Sequence, residues 1–329
     1  MSKPAHQIVF TGPLFVVGMV RSGTKLLRTL LCGHPRVHIP VLETDFLPLW
    51  IARWDRFGNL SERDAFARFF DFNRDLPYFT RARSEGLMLT PETWQAACAD
   101  FSPAGVFEAL VRLDCNVMGM SDIIWGDKTP SYTQHIATLS QHFPTARFVH
   151  IIRDVRDYCL SVRQAWNKSM LRAAQRWFDD VSRARRQGAA LGDRYVEIRY
   201  EDLITSPEHE MARLCQTIGL EMHRGMLQLK KSVEKKGAAR SVEIDPHNKG
   251  KYTTRMSGRA RRRIESVSAP LLRELGYAVD YDGPLRRIGR VHNTFLTLRD
   301  TAAIVADSVR SDGLTRTARQ TLRVLAMKR

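Results

Sequence analysis

A chain of 329 residues that is 43% hydrophobic and 26% charged can bury a large core and has the ordinary balance of a globular protein. Lys and Arg outnumber Asp and Glu by 51 to 35, and the net charge of +16 calls for an anionic partner: a nucleotide, a sulfated or phosphorylated substrate, a nucleic acid or a membrane surface. The five cysteines, Cys32, Cys98, Cys115, Cys159 and Cys215, are odd in number and none stands close to another, so neither a disulfide framework nor a zinc site is expected.

The chain opens on MSKPAHQIVF, which lacks the charged start and long apolar run of a secretory signal. No run approaches the ~18 apolar residues of a membrane span, and the expectation is a cytoplasmic protein. Leu14 to Val17 is an apolar, β-branched run that predicts a buried strand. Gly18 and Gly23 bracket a short loop, and from Thr24 the leucines take helical spacing. Strand, glycine loop and helix start make a cradle for an anion, with Arg21 and Lys25 as added cations. The stretch is P-loop-like but not a Walker A loop, which needs Lys directly after the second Gly; here the order is Gly23-Thr24-Lys25.

His34-Pro35 ends the helix, and Val37 to Leu42 predicts a short second strand or extended loop that delivers Glu43 to the same sheet edge. Residues 44–126 read as helical, with nine aromatics between Trp50 and Phe79 and alternating charge from Arg53 to Glu85. Two readings stay open for them: amphipathic helices with solvated faces, or the wall of an acceptor pocket. Trp125 to Pro130 reads as a compact turn carrying Lys128, followed by helical spacing to His142. Ala146 to Ile152 is the second clear strand, Arg153 to Asp157 its charged end, and Tyr158 to Lys168 a helix. Two β-loop-α units predict an α/β fold, a central parallel sheet flanked by helices. A long helix over 169–188, a third strand over Tyr195 to Arg199, a helix from Pro207 to Ile218, a basic stretch from Lys230 to Tyr252 and a helix over Ser257 to Leu275 complete the domain, set at 1–284. Residues 285–329 form a separate basic extension, ten Lys or Arg against three Asp, read as two short helices broken at Gly313.

Three segments, VRSGTKLL, FVHIIRDVRDYCLSV and IRYEDLITSP, stand in one order and spacing. Over residues 14 to 280 they make the chain resemble the sulfotransferases that use 3′-phosphoadenosine 5′-phosphosulfate (PAPS), closer to the tyrosylprotein and carbohydrate branches than to the small-phenol branch. GDKTPSY and GYAVDY are similar to two smaller elements of that family. The resemblance implies the sulfotransferase fold, PAPS as co-substrate and no metal. It assigns Arg21, Ser22, Gly23, Thr24 and Lys25 to the 5′-phosphosulfate and Arg153 with Ser161 to the 3′-phosphate. Tyr200 would lie near the adenine and Lys249-Gly250 in a late basic loop. Arg21 and Lys128 would supply cations on the leaving side. Glu43, after HPRVHIPVL, would be the catalytic base, with His38 as fallback. Two positions depart from the family pattern: Lys25 stands where a second Thr is usual, and Val155 where a Pro is usual.

The residues agree with these roles. Arg suits bidentate contact with phosphate, and sulfuryl transfer should follow in-line phosphoryl transfer, with cations at the leaving oxygen and a base for the acceptor's proton. The acceptor, a carbohydrate, lipid, peptide or small molecule, is not legible. A P-loop kinase would want a carboxylate directly after the apolar run, where Arg153 intervenes. A nucleic-acid-binding protein would rest on the basic run from Lys249 to Arg263, which no recognisable module accompanies, and no nucleic-acid partner is expected. The extension's apolar residues at helical spacing suit peripheral docking on an anionic membrane, or packing on the same domain.

Overall fold

The computed structural model describes residues 10–229 and 242–312, the last nine as helical backbone. The described chain forms two compact units. One draws on the chain through Arg153 and on Asp180–Asn248; the other on Asp154–Asp179 and the chain from Lys249 onward.

The first unit holds a sheet of five parallel strands: β1 (Leu14–Gly18), β2 (Val37–His38), β3 (Ile124–Lys128), β4 (Arg147–Ile152) and β5 (Tyr195–Arg199), in the order β2-β3-β1-β4-β5. β1 is central and wholly buried, as its unbroken apolar run requires in a sheet covered on both faces. Alternate residues serve opposite faces. Leu14 and Val16 join the core under α1 (Thr24–Leu31) and α11 (Pro207–Ile218). Phe15 turns the other way, 5.2 Å from Phe148 and 5.4 Å from Phe143.

That second face continues into α2 (Leu47–Arg53), α3 (Arg63–Asn73), α4 (Pro77–Ser84), α5 (Pro91–Ala97) and α6 (Pro103–Asp114). Their aromatics pack on one another: Phe46 on Trp50 at 4.4 Å, Trp50 on Phe69 at 5.0 Å, Phe79 on Trp94 at 5.6 Å. Trp50, Phe66, Phe69, Tyr78, Phe79 and Trp94 are buried, so these rings form the core of the helical region.

The segment expected as a turn, Trp125 to Pro130, is instead mostly strand β3. Gly126 sits opposite Leu14 in the register, where a Cβ would lie 2.2 Å from the Leu14 carbonyl oxygen. Gly126→Ala should cost about 3 kcal/mol, the upper end for overpacking against a backbone that cannot yield. A thermal melt should show it as a midpoint roughly 5–10 °C lower; an unchanged midpoint would mean that β1 and β3 are not paired in this register.

The 3₁₀ turn Pro130–Gln134 and α7 (Ile136–His142) lead from β3 to β4, and α10 (Tyr200–Thr205) follows β5 directly. The second unit contains α8 (Val155–Trp166), the start of α9 (Met170–Ala189), α12 (Tyr252–Arg255), α13 (Gly258–Glu274) and α14 (Arg290–Asp312). Arg156, 1% exposed, ties it together: its guanidinium binds Asp154 at 2.7 Å, Glu265 at 2.8 Å and the Ala278 carbonyl at 2.8 Å, with the Tyr252 ring 4.0 Å away. Burial opposes its charge, but the two carboxylates more than offset that and raise its pKa. α14 covers the first of the two helices expected in the extension and is longer than expected, at 23 residues; Gly313, the expected break, lies outside the described residues.

Candidate active site

The first unit gathers nine of the expected site residues, and the parallel topology does most of the gathering. β3, β1 and β4 are neighbours, with Val16 opposite Lys128 and Gly18 opposite Ile151. Lys128, the loop after Gly18 and Arg153 therefore leave adjacent strands at one carboxyl edge, where parallel α/β sheets bind ligands.

The loop itself is built by backbone conformation. Gly18 and Gly23 have φ of 150° and 96°, and a Cβ on Gly18 would meet the Ile151 carbonyl at 2.4 Å. Arg21 has φ of 71°, costly for a residue with a Cβ. The loop is braced from two sides: Ser22 N–H donates to the Met19 carbonyl at 3.0 Å, and Gly18 N–H to Thr133 Oγ1 at 2.8 Å. Gly23 caps α1 with no side-chain acceptor, so the first-turn N–H groups of Thr24 and Lys25 face the loop as an anion site does. Ser22 is 1% exposed, and its Oγ has no hydrogen-bond partner among the described residues. Buried hydroxyls are rarely left so. Thr24 is buried, and Lys25 is exposed on the first turn.

Arg153 joins this loop to the third motif. Its Nη1 donates to the Arg21 carbonyl at 3.2 Å, its Nη2 to the Asn248 carbonyl at 3.2 Å, and its guanidinium lies 4.5 Å from the centre of the Tyr200 ring. Asn248 Nδ2 donates to Tyr200 Oη at 2.8 Å. Gly23 lets that ring approach, since a Cβ there would fall 2.4 Å from Tyr200 Cδ2. Burial raises the Tyr200 pKa against the opposing charge of Arg153, so the phenol stays protonated.

On the other side of the loop, Lys128 Nζ donates to Glu43 Oε1 at 2.5 Å. Lys128 is 1% exposed and Glu43 33%, so the carboxylate is the open end of the pair. His38 pairs with Trp125, three residues before Lys128, and so lies about 10 Å short of the edge. Its Nε2 is 3.0 Å from the Pro35 carbonyl oxygen.

Beneath the pair lies a polar network that the sequence did not announce. Thr44 Oγ1 meets Tyr132 Oη at 2.6 Å and donates to Asp127 Oδ1 at 3.1 Å, while Thr44 N–H donates to Thr129 Oγ1 at 3.0 Å. It fixes the residue after Glu43 to both neighbours of Lys128. Asp127 is fully buried, and burial pushes its pKa up to about 7 against hydrogen bonds from Thr129 and Thr44 and the charge of Lys128. With the folded-state value raised, folding favours the protonated carboxyl. That contribution is whole below the ordinary value of 3.8 and is lost as pH rises to about 7. Asp127→Asn cannot ionise. Its melting temperature should gain on the native chain between about pH 4 and about pH 7; a difference independent of pH would mean that Asp127 is ionised throughout.

Three expected site residues lie in the second unit. Ser161 is half-buried on α8, Lys249 is exposed, and Gly250 has φ of 65° just before α12. Asp154 and Asp157, beside the expected phosphate arginine, are committed to structure: Asp154 to Arg156, and Asp157 to the backbone N–H of Tyr252 at 2.9 Å.

Comparison with known proteins agrees with this architecture. The sulfotransferase domain from the curacin biosynthetic pathway has a TM-score of 0.56 at 18% identity, covering 82% of this chain and 99% of that one. The sulfotransferase domain of the Synechococcus PCC 7002 olefin synthase has a TM-score of 0.55 at 20% identity, covering 83% and 98%. The omega-hydroxy-beta-dihydromenaquinone-9 sulfotransferases of Mycobacterium bovis and Mycobacterium tuberculosis are each 35% identical over 109 residues. That match spans 28% of this chain and 28% of either relative. The sequence profile of the Sulfotransferase family matches residues 13–224, which takes in the loop, Glu43, Lys128, Arg153 and Tyr200. The chain belongs to the sulfotransferase family.

Proposed function

We propose that this protein transfers the sulfuryl group of PAPS to a hydroxyl or amine of an acceptor molecule. One observation carries the reading. Arg153 touches both the loop carbonyl of Arg21 and the ring of Tyr200, so the three separate motifs meet at one sheet edge. The residues fit the donor: the buried Ser22 hydroxyl and the uncapped start of α1 suit its 5′ group.

When bound, PAPS supplies an activated sulfuryl group and a stable bisphosphate leaving group. The chain's residues bind and orient it. Loop N–H groups, with Ser22, Thr24 and Lys25, hold the 5′ end. Arg153 pairs with the 3′-phosphate and Tyr200 lies beside the base; Ser161, Lys249 and Gly250 are the further candidates for the 3′ side. Arg21 and Lys128 set positive charge at the leaving oxygen. Glu43 takes the acceptor's proton, and the Asp127–Thr44–Tyr132 network holds it in place. No step requires a metal ion.

The test is transfer of ³⁵S from labelled PAPS to a panel of acceptors: a long-chain isoprenoid alcohol, suggested by the name of the mycobacterial relatives, a carbohydrate, a tyrosine peptide and an amine. Label should appear in at least one. Retention of the chain by immobilised ATP but not by 3′,5′-adenosine bisphosphate would overturn the reading.

A further inference from the structure

The second unit contains a cavity of about 560 Å³ where the α8–α9 corner meets α13 and α14. Its walls carry Arg163, Lys168, Arg263 and Arg299 with His292, and none of its lining residues is acidic. Among the described residues, no carboxylate lies within 4.0 Å of the cationic atoms of Arg163, Lys168 or Arg263. Burial, and then the charge of Arg176, lowers the pKa of Lys168. The nearest acid in sequence to this face of α14, Asp300, is buried and engaged. It accepts from Ser169 N–H at 2.9 Å and pairs with Arg172 at 3.4 Å and Arg299 at 3.2 Å. These bonds fasten α14 to the α8–α9 corner, so the cavity has a fixed wall. The floor is apolar, with Ile264 and Leu296 both buried.

α14 presents a second stripe beside the cavity. His292, Leu296, Arg299 and Ala303 face the cavity. Val291, Phe295 and Leu298, about a quarter-turn round the helix, are 85%, 63% and 66% exposed. Large apolar side chains at i, i+4 and i+7 that are this exposed mark a surface meant to be covered. Arg286 and Arg290 flank it in the sequence and are exposed too. A basic cavity next to an apolar stripe on one helix matches the chemistry of an anionic bilayer: headgroup phosphate beside acyl chain.

We propose that this cavity binds the phosphate of an anionic lipid headgroup while the Val291–Phe295–Leu298 stripe of α14 lies in the bilayer interface. The proposal concerns the second unit alone and stands independently of the sulfuryl-transfer reading.

The test is co-sedimentation of the full chain with vesicles of phosphatidylcholine, with and without phosphatidylglycerol, at physiological salt. Binding should appear only with the anionic lipid. Lys168→Gln with Arg263→Gln should weaken it at least tenfold, and so should Phe295→Ser with Leu298→Ser. Both variants should keep the native far-ultraviolet spectrum and the native affinity for 3′,5′-adenosine bisphosphate. Inorganic phosphate should compete with the vesicles through the first pair of residues only. Equal binding to neutral vesicles, or anionic binding that both variants retain, overturns the proposal. So does retention of the native chain by duplex DNA under conditions where anionic vesicles do not bind it. Should a variant not fold, the native chain's dependence on anionic lipid and its competition by phosphate decide the matter.

Discussion

Glu43→Gln should lower kcat by about 10²–10⁴-fold, the worth of a positioned base, with the acceptor that the labelled screen identifies. Affinity for 3′,5′-adenosine bisphosphate should stay close to that of the native chain. The substitution keeps the shape of the side chain and removes its basicity. It also leaves the Lys128 ammonium, 1% exposed, facing a neutral amide at the 2.5 Å contact. A buried charge that loses its partner is costly, but Glu43 is one-third exposed and water can repay part of it. A modest fall in melting temperature should therefore accompany the loss of rate. Glu43→Asp restores the charge one methylene short and should recover the stability more fully than the rate. Near-full turnover in Glu43→Gln would put the base elsewhere, and His38 would be tested next. A joint fall of turnover and nucleotide affinity would make Glu43 a brace for the loop.

Arg153→Ala should weaken binding of 3′,5′-adenosine bisphosphate by about 10- to 150-fold. That is the equivalent of the 1.5–3 kcal/mol of one charge-assisted contact. The variant also uncovers one face of Tyr200 and frees the Arg21 carbonyl, so part of the loss is loop order. Arg153→Lys keeps the charge without the planar fork and should fall between the two. Titration calorimetry reads all three chains directly. Unchanged affinity in a folded Arg153→Ala chain would remove the 3′-phosphate from this position.

The parts of the fold most legible in the sequence are those whose signal is local. β1 is an unbroken apolar run and its loop needs glycines at two positive-φ positions, both visible in LFVVGMVRSG. β3 was not legible, because IWGDK puts a glycine and two charges into a central strand. Those residues are tolerated for reasons far away in sequence: the Leu14 carbonyl leaves no room for a Cβ at Gly126, Thr44 hydrogen-bonds one oxygen of Asp127, and Glu43 pairs with Lys128, both across about eighty residues. The same separation hid the partners of Thr129 and Tyr132, although both stand in GDKTPSY, and hid Asn248, a polar residue with no motif of its own. The motif RDVRD shows two arginines alike. Only the packed chain separates Arg156, saturated by Asp154 and Glu265, from Arg153, which reaches the loop. The aromatic richness of residues 44–126 was plain, but whether rings line an opening or fill a core depends on how the helices pack: Trp50, Phe66, Phe69, Tyr78, Phe79 and Trp94 are buried, while Trp54, Phe57, Phe70 and Phe72 are half-buried.

The most direct measurement is titration calorimetry of the full chain with 3′,5′-adenosine bisphosphate, adenosine 5′-phosphate and ATP at physiological salt. A site built on the phosphosulfate loop and Arg153 should bind the bisphosphate at least about tenfold more tightly than the 5′-phosphate, since one charge-assisted phosphate contact separates them. It should also prefer the bisphosphate to ATP. Equal affinity for the first two, or a preference for ATP, would contradict a PAPS site at this sheet edge.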